Sequence, residues 1–157
     1  MDLLYRRLVI SDLPVLIRLR IEQLKDEGAE ETFDLRPNLM DFYTRHIKDG
    51  TFVAWVAIDS DADNEIIATA GMSFVEKPPY YSNPYGKIGL LTNMFTMKEY
   101  RRKGIAKHLL GLVVDEAKRY GCGAIHITAS EQGMLLYKDF GFEHNERFMQ
   151  CILKGND

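Results

Sequence analysis

The stretch with the most chemical content is Arg101-Arg102-Lys103-Gly104-Ile105-Ala106, three cations and a glycine followed at once by a helical pattern. The first turn of a helix leaves backbone N–H groups without partners and carries partial positive charge. An anion, above all a pyrophosphate, is stabilised there. Gly104 and Ala106 have almost no side chain, so phosphate oxygens can approach the main chain closely. Arg101, Arg102 and Lys103 add charge, and one of them can reach a further phosphate. Neither G-x-x-x-x-G-K-[ST] nor G-x-G-x-x-G occurs, which sets aside a Walker loop and a Rossmann dinucleotide site. Basic residues before a helix are also commonly plain solvated charges, so the turn has to be read with its neighbours.

To position that turn the chain needs a strand before it and a helix after it. Ile88 to Met97 reads as the strand; Ile105, Leu109, Leu112, Val113 and Ala117 give the helix one apolar face, and Gly121 stops it after Tyr120. Upstream, Leu3 to Ile10 reads as a first strand. Ser11 or Asp12 then caps a helix with Pro14 in its first turn and Leu13, Leu16, Ile17, Ile21 and Leu24 on its buried stripe. A second helix runs from Pro37 to Gly50. Phe52 to Ile58 and Ile66 to Phe74 flank a polar turn as an antiparallel hairpin. Lys77 to Gly86, with three prolines, is a loop. Downstream come a strand at Ala124 to Thr128, a short helix from Gly133 to Phe140, and Phe142 to Lys154 as two final strands. The expectation is a single α/β domain over residues 1–157.

Here the sequence resembles a known family. Arg101-Arg102-Lys103-Gly104-Ile105-Ala106 is similar to the R/Q-x-x-G-x-G/A signature of the GNAT N-acetyltransferases, and Asn93 to Tyr100 to the strand and turn preceding it. Leu136-Tyr137-Lys138-Asp139-Phe140-Gly141-Phe142 resembles the family's L-Y-x-x-x-G-F element. The likeness is specific from Asn93 to Phe142 and only architectural before that. It implies a mixed, mostly antiparallel sheet of about seven strands flanked by about four helices, with acetyl-CoA as cosubstrate. Met94, Phe95 and Thr96 would pair with the pantetheine arm as an added strand. Backbone N–H groups from Arg102 through Gly104, Ile105 and Ala106 to Lys107 would hold the pyrophosphate. The family's strand is bulged and splays from the next, opening a slot for the thioester, and a freed donor such as the Phe95 N–H would stabilise the oxyanion. Tyr137 would donate a proton to the departing thiolate. Where the family often has Asn and Ala, seven and four residues before this tyrosine, this chain has Ser130 and Gly133. Ser130 can still bond the cofactor, with fewer donors.

The acceptor half is less determined. A primary amine is mostly charged at neutral pH and must lose a proton. Glu76, at a strand end, is a candidate base; His126, alternating with Ile125 and Ile127, is another; a water chain is a third route. The acidic run Asp26 to Glu31 and the loop Pro78 to Tyr85 are expected near the acceptor, with Tyr80, Tyr81 and Tyr85 lining a pocket or covering a sheet edge. A net charge of −3 argues against nucleic acid as the main partner. The N-terminus lacks the apolar stretch of a signal peptide and no run approaches a membrane span, so a cytoplasmic protein is expected. Cys122 and Cys151 read as reduced thiols in or near the core, neither placed as an acyl carrier. A small-molecule amine is favoured over a protein acceptor, a non-catalytic acyl-CoA sensor is the alternative, and the apolar terminal strands allow a homodimer.

Overall fold

Alternation along one strand sets the layers of the fold, seen in a computed structural model that describes residues 1–145 and 147–153. Strand β2 (Phe52–Asp59) sends Phe52, Ala54, Val56 and Ile58 to one face, and Val53, Trp55 and Ala57 to the other. The first face is covered by α1 (Leu13–Asp26) and α2 (Arg36–Lys48), through Leu13, Leu16, Ile17, Leu19 and Tyr43. The second is covered by α3 (Ile105–Tyr120), whose Ile105, Leu109, Leu110, Val113 and Ala117 are all almost wholly buried.

The sheet contains β1 (Leu3–Arg7), β2, β3 (Glu65–Glu76), β4 (Lys87–Thr96) and β5 (Ala124–His126), in that order across it. The first three pairings are antiparallel, and β4 pairs with β5 in parallel. A parallel pair requires a crossover, and α3 is that crossover, leaving the C-terminal end of β4 and returning to the start of β5. A short helix, α4 (Met134–Phe140), follows and ends at Gly141 with φ 117°, a conformation that suits glycine. No helix among the described residues is long and apolar enough to cross a membrane.

Two expectations change. β1 stops at Arg7 because Asp12 folds a 3-10 turn back on the chain: its carboxylate accepts from the Val9 N–H at 2.8 Å and from Arg6 at 2.7 and 3.0 Å. Of the two expected caps it is Asp12, not Ser11, that stands at the N-cap of α1, without a side-chain bond into the helix, and α1 starts at Leu13 with Pro14 in its first turn. The two final strands expected in Phe142 to Lys154 are not formed among the described residues, so the sheet has five strands rather than about seven; Lys154 itself lies outside the described residues. Apolar residues there come as neighbours, Phe148-Met149 and Ile152-Leu153, all largely exposed. Neighbours point to opposite faces of a strand, so no one-sided pairing buries them. Cys151 is exposed with them and Cys122 half-buried, both as free thiols.

A buried carboxylate ties the first strand to the crossover helix. Glu116 of α3 is 4% exposed and accepts from Arg7 at 2.5 Å and from Arg119 one turn on. Burial alone would raise its pKa, but the two guanidiniums more than offset that and hold it below the usual range. Its contribution is therefore present above the unfolded-state pKa and fades as pH falls through the folded one. Glu116→Ala is expected to cost about 1–3 kcal/mol at pH 7. In thermal unfolding the gap between wild type and variant should narrow below roughly pH 4.

Candidate functional site

β4 carries one residue too many for its partner. Thr69 faces Phe95 and Gly71 faces Thr92, so two steps on β3 span three on β4. Asn93 absorbs the excess in the left-handed region, at φ 56°, which Asn tolerates better than the apolar residues around it. It is 1% exposed. The Tyr43 hydroxyl of α2 lies 3.0 Å from its Oδ1 and 2.8 Å from its Nδ2, and its carbonyl accepts the Thr69 hydroxyl at 2.7 Å. The Met94 carbonyl accepts from Gln23 Nε2 of α1 at 3.2 Å. Residues from both helices thus clamp the irregularity.

On its other side, β4 loses its neighbour just before the bulge. β4 and β5 pair only from Ile88 to Leu90 and Ala124 to His126; from Leu91 to Thr96 no strand adjoins that side among the described residues. A slot opens there, lined by the main chain of Met94, Phe95 and Thr96. Unpaired strand backbone of this kind accepts an extended, amide-bearing ligand by strand addition.

The turn leading into α3 opens at the same end of β4. After a 3-10 turn at Lys98–Tyr100, Arg102 (φ 62°) and Gly104 (φ 80°) are both left-handed on either side of Lys103, which gathers successive N–H groups around a concavity. No side chain caps α3, so its first N–H groups remain available to an anion. A Cβ on Gly104 would meet nothing within 4 Å, so the space above it is free. Ile105 is buried and contributes its main chain only, whereas Arg102, Lys103 and Lys107 are exposed cations. Arg101 points elsewhere: its Nε donates to the Thr96 carbonyl at 2.8 Å, its Nη2 meets Asp26 at 2.9 Å, and it lies over the Phe95 ring. It braces the turn against β4 and α1.

Tyr137 of α4 packs against the α3 layer and is 6% exposed. Burial, with a further contribution from the charge of Glu27, pushes its phenol up to about 12. Its ring lies on Gly133, where a Cβ would come within 2.6 Å of a ring carbon. Ser130 accepts the Gly133 N–H at 3.2 Å, shaping the turn into α4.

The Acetyltransferase (GNAT) family profile matches residues 16–142. The chain belongs to this family. Acetyl-CoA is the cosubstrate of the family, and the slot, the uncapped helix and the open glycine are suited to its pantetheine and pyrophosphate. Among relatives, a predicted acetyltransferase of Clostridium acetobutylicum, solved with acetyl-CoA, is 33% identical over 96% of both chains, with a TM-score of 0.91. A GCN5-related N-acetyltransferase of Ralstonia eutropha shares the fold at 23% identity, covering 96% of this chain and 99% of its own, with a TM-score of 0.86. The uncharacterized N-acetyltransferase YjgM of Escherichia coli is 24% identical over 93% of this chain and 85% of its own.

Of the residues singled out in the sequence, Met94 to Thr96, Arg102 to Lys107 and Tyr137 fall within this region. Glu76 does not. It pairs with Lys87 at the far end of the β3–β4 hairpin, about 20 Å of strand from Met94. The loop Pro78 to Tyr85 sits at that end too, with Tyr81 and Tyr85 largely exposed, so it lines no pocket at the slot. His126 is exposed beside Leu90, on the sheet face carrying α1 and α2.

Two residues, Asn93 and Gln23, escaped sequence reasoning. Asn93 is a polar residue inside an apolar strand, which signals a break in pairing. Gln23 is a buried polar residue that continues the stripe of Leu16 along α1 at helical spacing, whereas Glu27, just past the end of α1, belongs to the acidic run already expected near the acceptor. Gly104→Glu should leave thermal unfolding nearly unchanged, losing only about 1 kcal/mol for its left-handed backbone. In titration calorimetry it should weaken acetyl-CoA binding at least about 100-fold, by placing a carboxylate where the pyrophosphate binds.

Proposed function

We propose that the protein is an N-acetyltransferase that moves the acetyl group of acetyl-CoA directly to a primary amine of a small acceptor. The observation that supports this most is that the bulged, half-unpaired β4 leads directly into the uncapped N-terminus of α3, with Tyr137 buried in the same α3 layer.

Each residue has a distinct task in this reading. The N–H groups of residues 102–107 bind the pyrophosphate, and the main chain of Met94 to Thr96 aligns the pantetheine arm. Glu27 replaces Glu76 as the acceptor-side carboxylate: it is one turn from Gln23, whose amide nitrogen it meets at 3.4 Å, and its charge reaches Tyr137. It attracts the ammonium and takes its proton, directly or through water. The amine nitrogen then bonds to the acetyl carbon, the nitrogen's second proton passes to water, and the carbon–sulfur bond breaks to release CoA as its thiolate. Tyr137 donates to the sulfur as charge develops there. A phenol raised to about 12 is a weak acid, but it stays neutral throughout the working range and remains a donor.

A CoA-release assay over a panel of amines tests this reading. Tyr137→Phe should lower kcat by about 100-fold or more, with acetyl-CoA affinity little changed. Deprotonation of Tyr137 should produce no fall in wild-type kcat below about pH 10, because the folded phenol titrates near 12. Gly133→Ala should also lower kcat, since its methyl occupies the space of the Tyr137 ring. An unchanged kcat in Tyr137→Phe would remove the tyrosine from the mechanism. Acetyl-CoA binding without turnover of any amine would make the protein a sensor.

A further inference from the structure

Resting on the acetyl-transfer reading, we propose that the acceptor is a primary amine that also bears an anionic group, a carboxylate or a phosphate, and that Arg20 receives that group. Arg20 and Gln23 stand at i and i+3 on one face of α1, and Glu27 follows at i+7 as the exposed residue that ends the helix. Gln23 is buried and anchored to the Met94 carbonyl of the bulge. Its Oε1 accepts from Arg20 Nη1 at 3.1 Å, and its Nε2 meets Glu27 Oε1 at 3.4 Å. A cation and an anion are therefore held one amide group apart, over the reactive strand. That is the charge pattern of a short zwitterion in reverse.

The surroundings of Arg20 favour an anion. Three arginines are half-buried; Arg6 is paired with Asp12 and Arg101 with Asp26, whereas no carboxylate lies within 4.0 Å of Arg20 among the described residues. A partly desolvated cation without a counter-charge is costly, and a ligand anion offsets that cost. Arg20 lines a cavity of about 260 Å³ with Tyr43, Ser73, Leu90, Thr92 and Asn93, and no acidic residue contributes to its wall. Its charge is felt at the buried Tyr43 hydroxyl, which Asn93 joins to the bulge. The volume falls below the roughly 300–1,000 Å³ of drug-sized sites, which suits an amino acid or a small aminophosphate rather than a large polyamine or oligosaccharide. With its anion at Arg20, the amine end lies toward Glu27 and Tyr137, where the acetyl group is transferred.

The test measures CoA release with matched acceptors: α- and ω-amino acids, their carboxamides, and phosphoethanolamine against ethanolamine. Wild type should show a KM about 10- to 100-fold lower for the charged member of each favoured pair, and the pair that responds distinguishes carboxylate from phosphate. Arg20→Gln should erase most of that gap, and Arg20→Lys should restore part of it. Thermal unfolding and acetyl-CoA affinity report on folding, and if Arg20→Gln is unstable the Arg20→Lys variant carries the comparison. Neutral amines turned over with KM values equal to those of their anionic partners would overturn the inference alone. So would an Arg20 variant that raises KM equally for both members of a pair. No CoA release with any acceptor, despite acetyl-CoA binding, would overturn the proposed function and this inference with it.

Discussion

An extra residue in one strand governs the geometry of this molecule. A regular β4 would pair along its length with both neighbours and leave no backbone free. With Asn93 inserted, the ladder to β3 slips by one residue and the partnership with β5 ends at Leu90. The left-handed backbone at Asn93 is costly by itself. It persists because Tyr43, Thr69 and Gln23 supply hydrogen bonds that a regular strand would not need. α1, α2 and β3 therefore all support a local defect, and the slot is the product.

The same end of β4 sets the electrostatics. The chain carries a net charge of −3, yet it presents a concavity suited to a polyanion. Composition and site differ because the relevant charge is local: N–H dipoles at the start of α3 and the exposed Arg102, Lys103 and Lys107. Arg101 has a different task. Bound to Thr96 and Asp26, it joins the end of β4 to the end of α1, so the anion turn and α1 are mechanically linked.

Tyr137 shows how a departure from a family pattern becomes intelligible in three dimensions. Glycine at position 133, where alanine is common in the family, leaves room for the ring to lie against the turn. Burial then keeps the phenol neutral far above physiological pH. Such a group remains a hydrogen-bond donor and does not act as a base.

The sequence alone determined the elements from β2 to α3 and the identity of the cosubstrate. Periodicity located β2 through α3 to within a residue or two. Gly104 before an apolar helical stripe marked the anion turn, because both signals are local and repeat at fixed spacing. What surrounds the bulge on the α1 side was decided by tertiary structure. Glu76 and the tyrosine loop lie near β4 along the chain, but antiparallel pairing carries them to the far end of the hairpin. Gln23, 71 residues upstream of Met94, is brought to the bulge by the packing of α1. No local pattern encodes that contact. It follows from which faces of helix and sheet must be buried together, and only the folded chain reveals it.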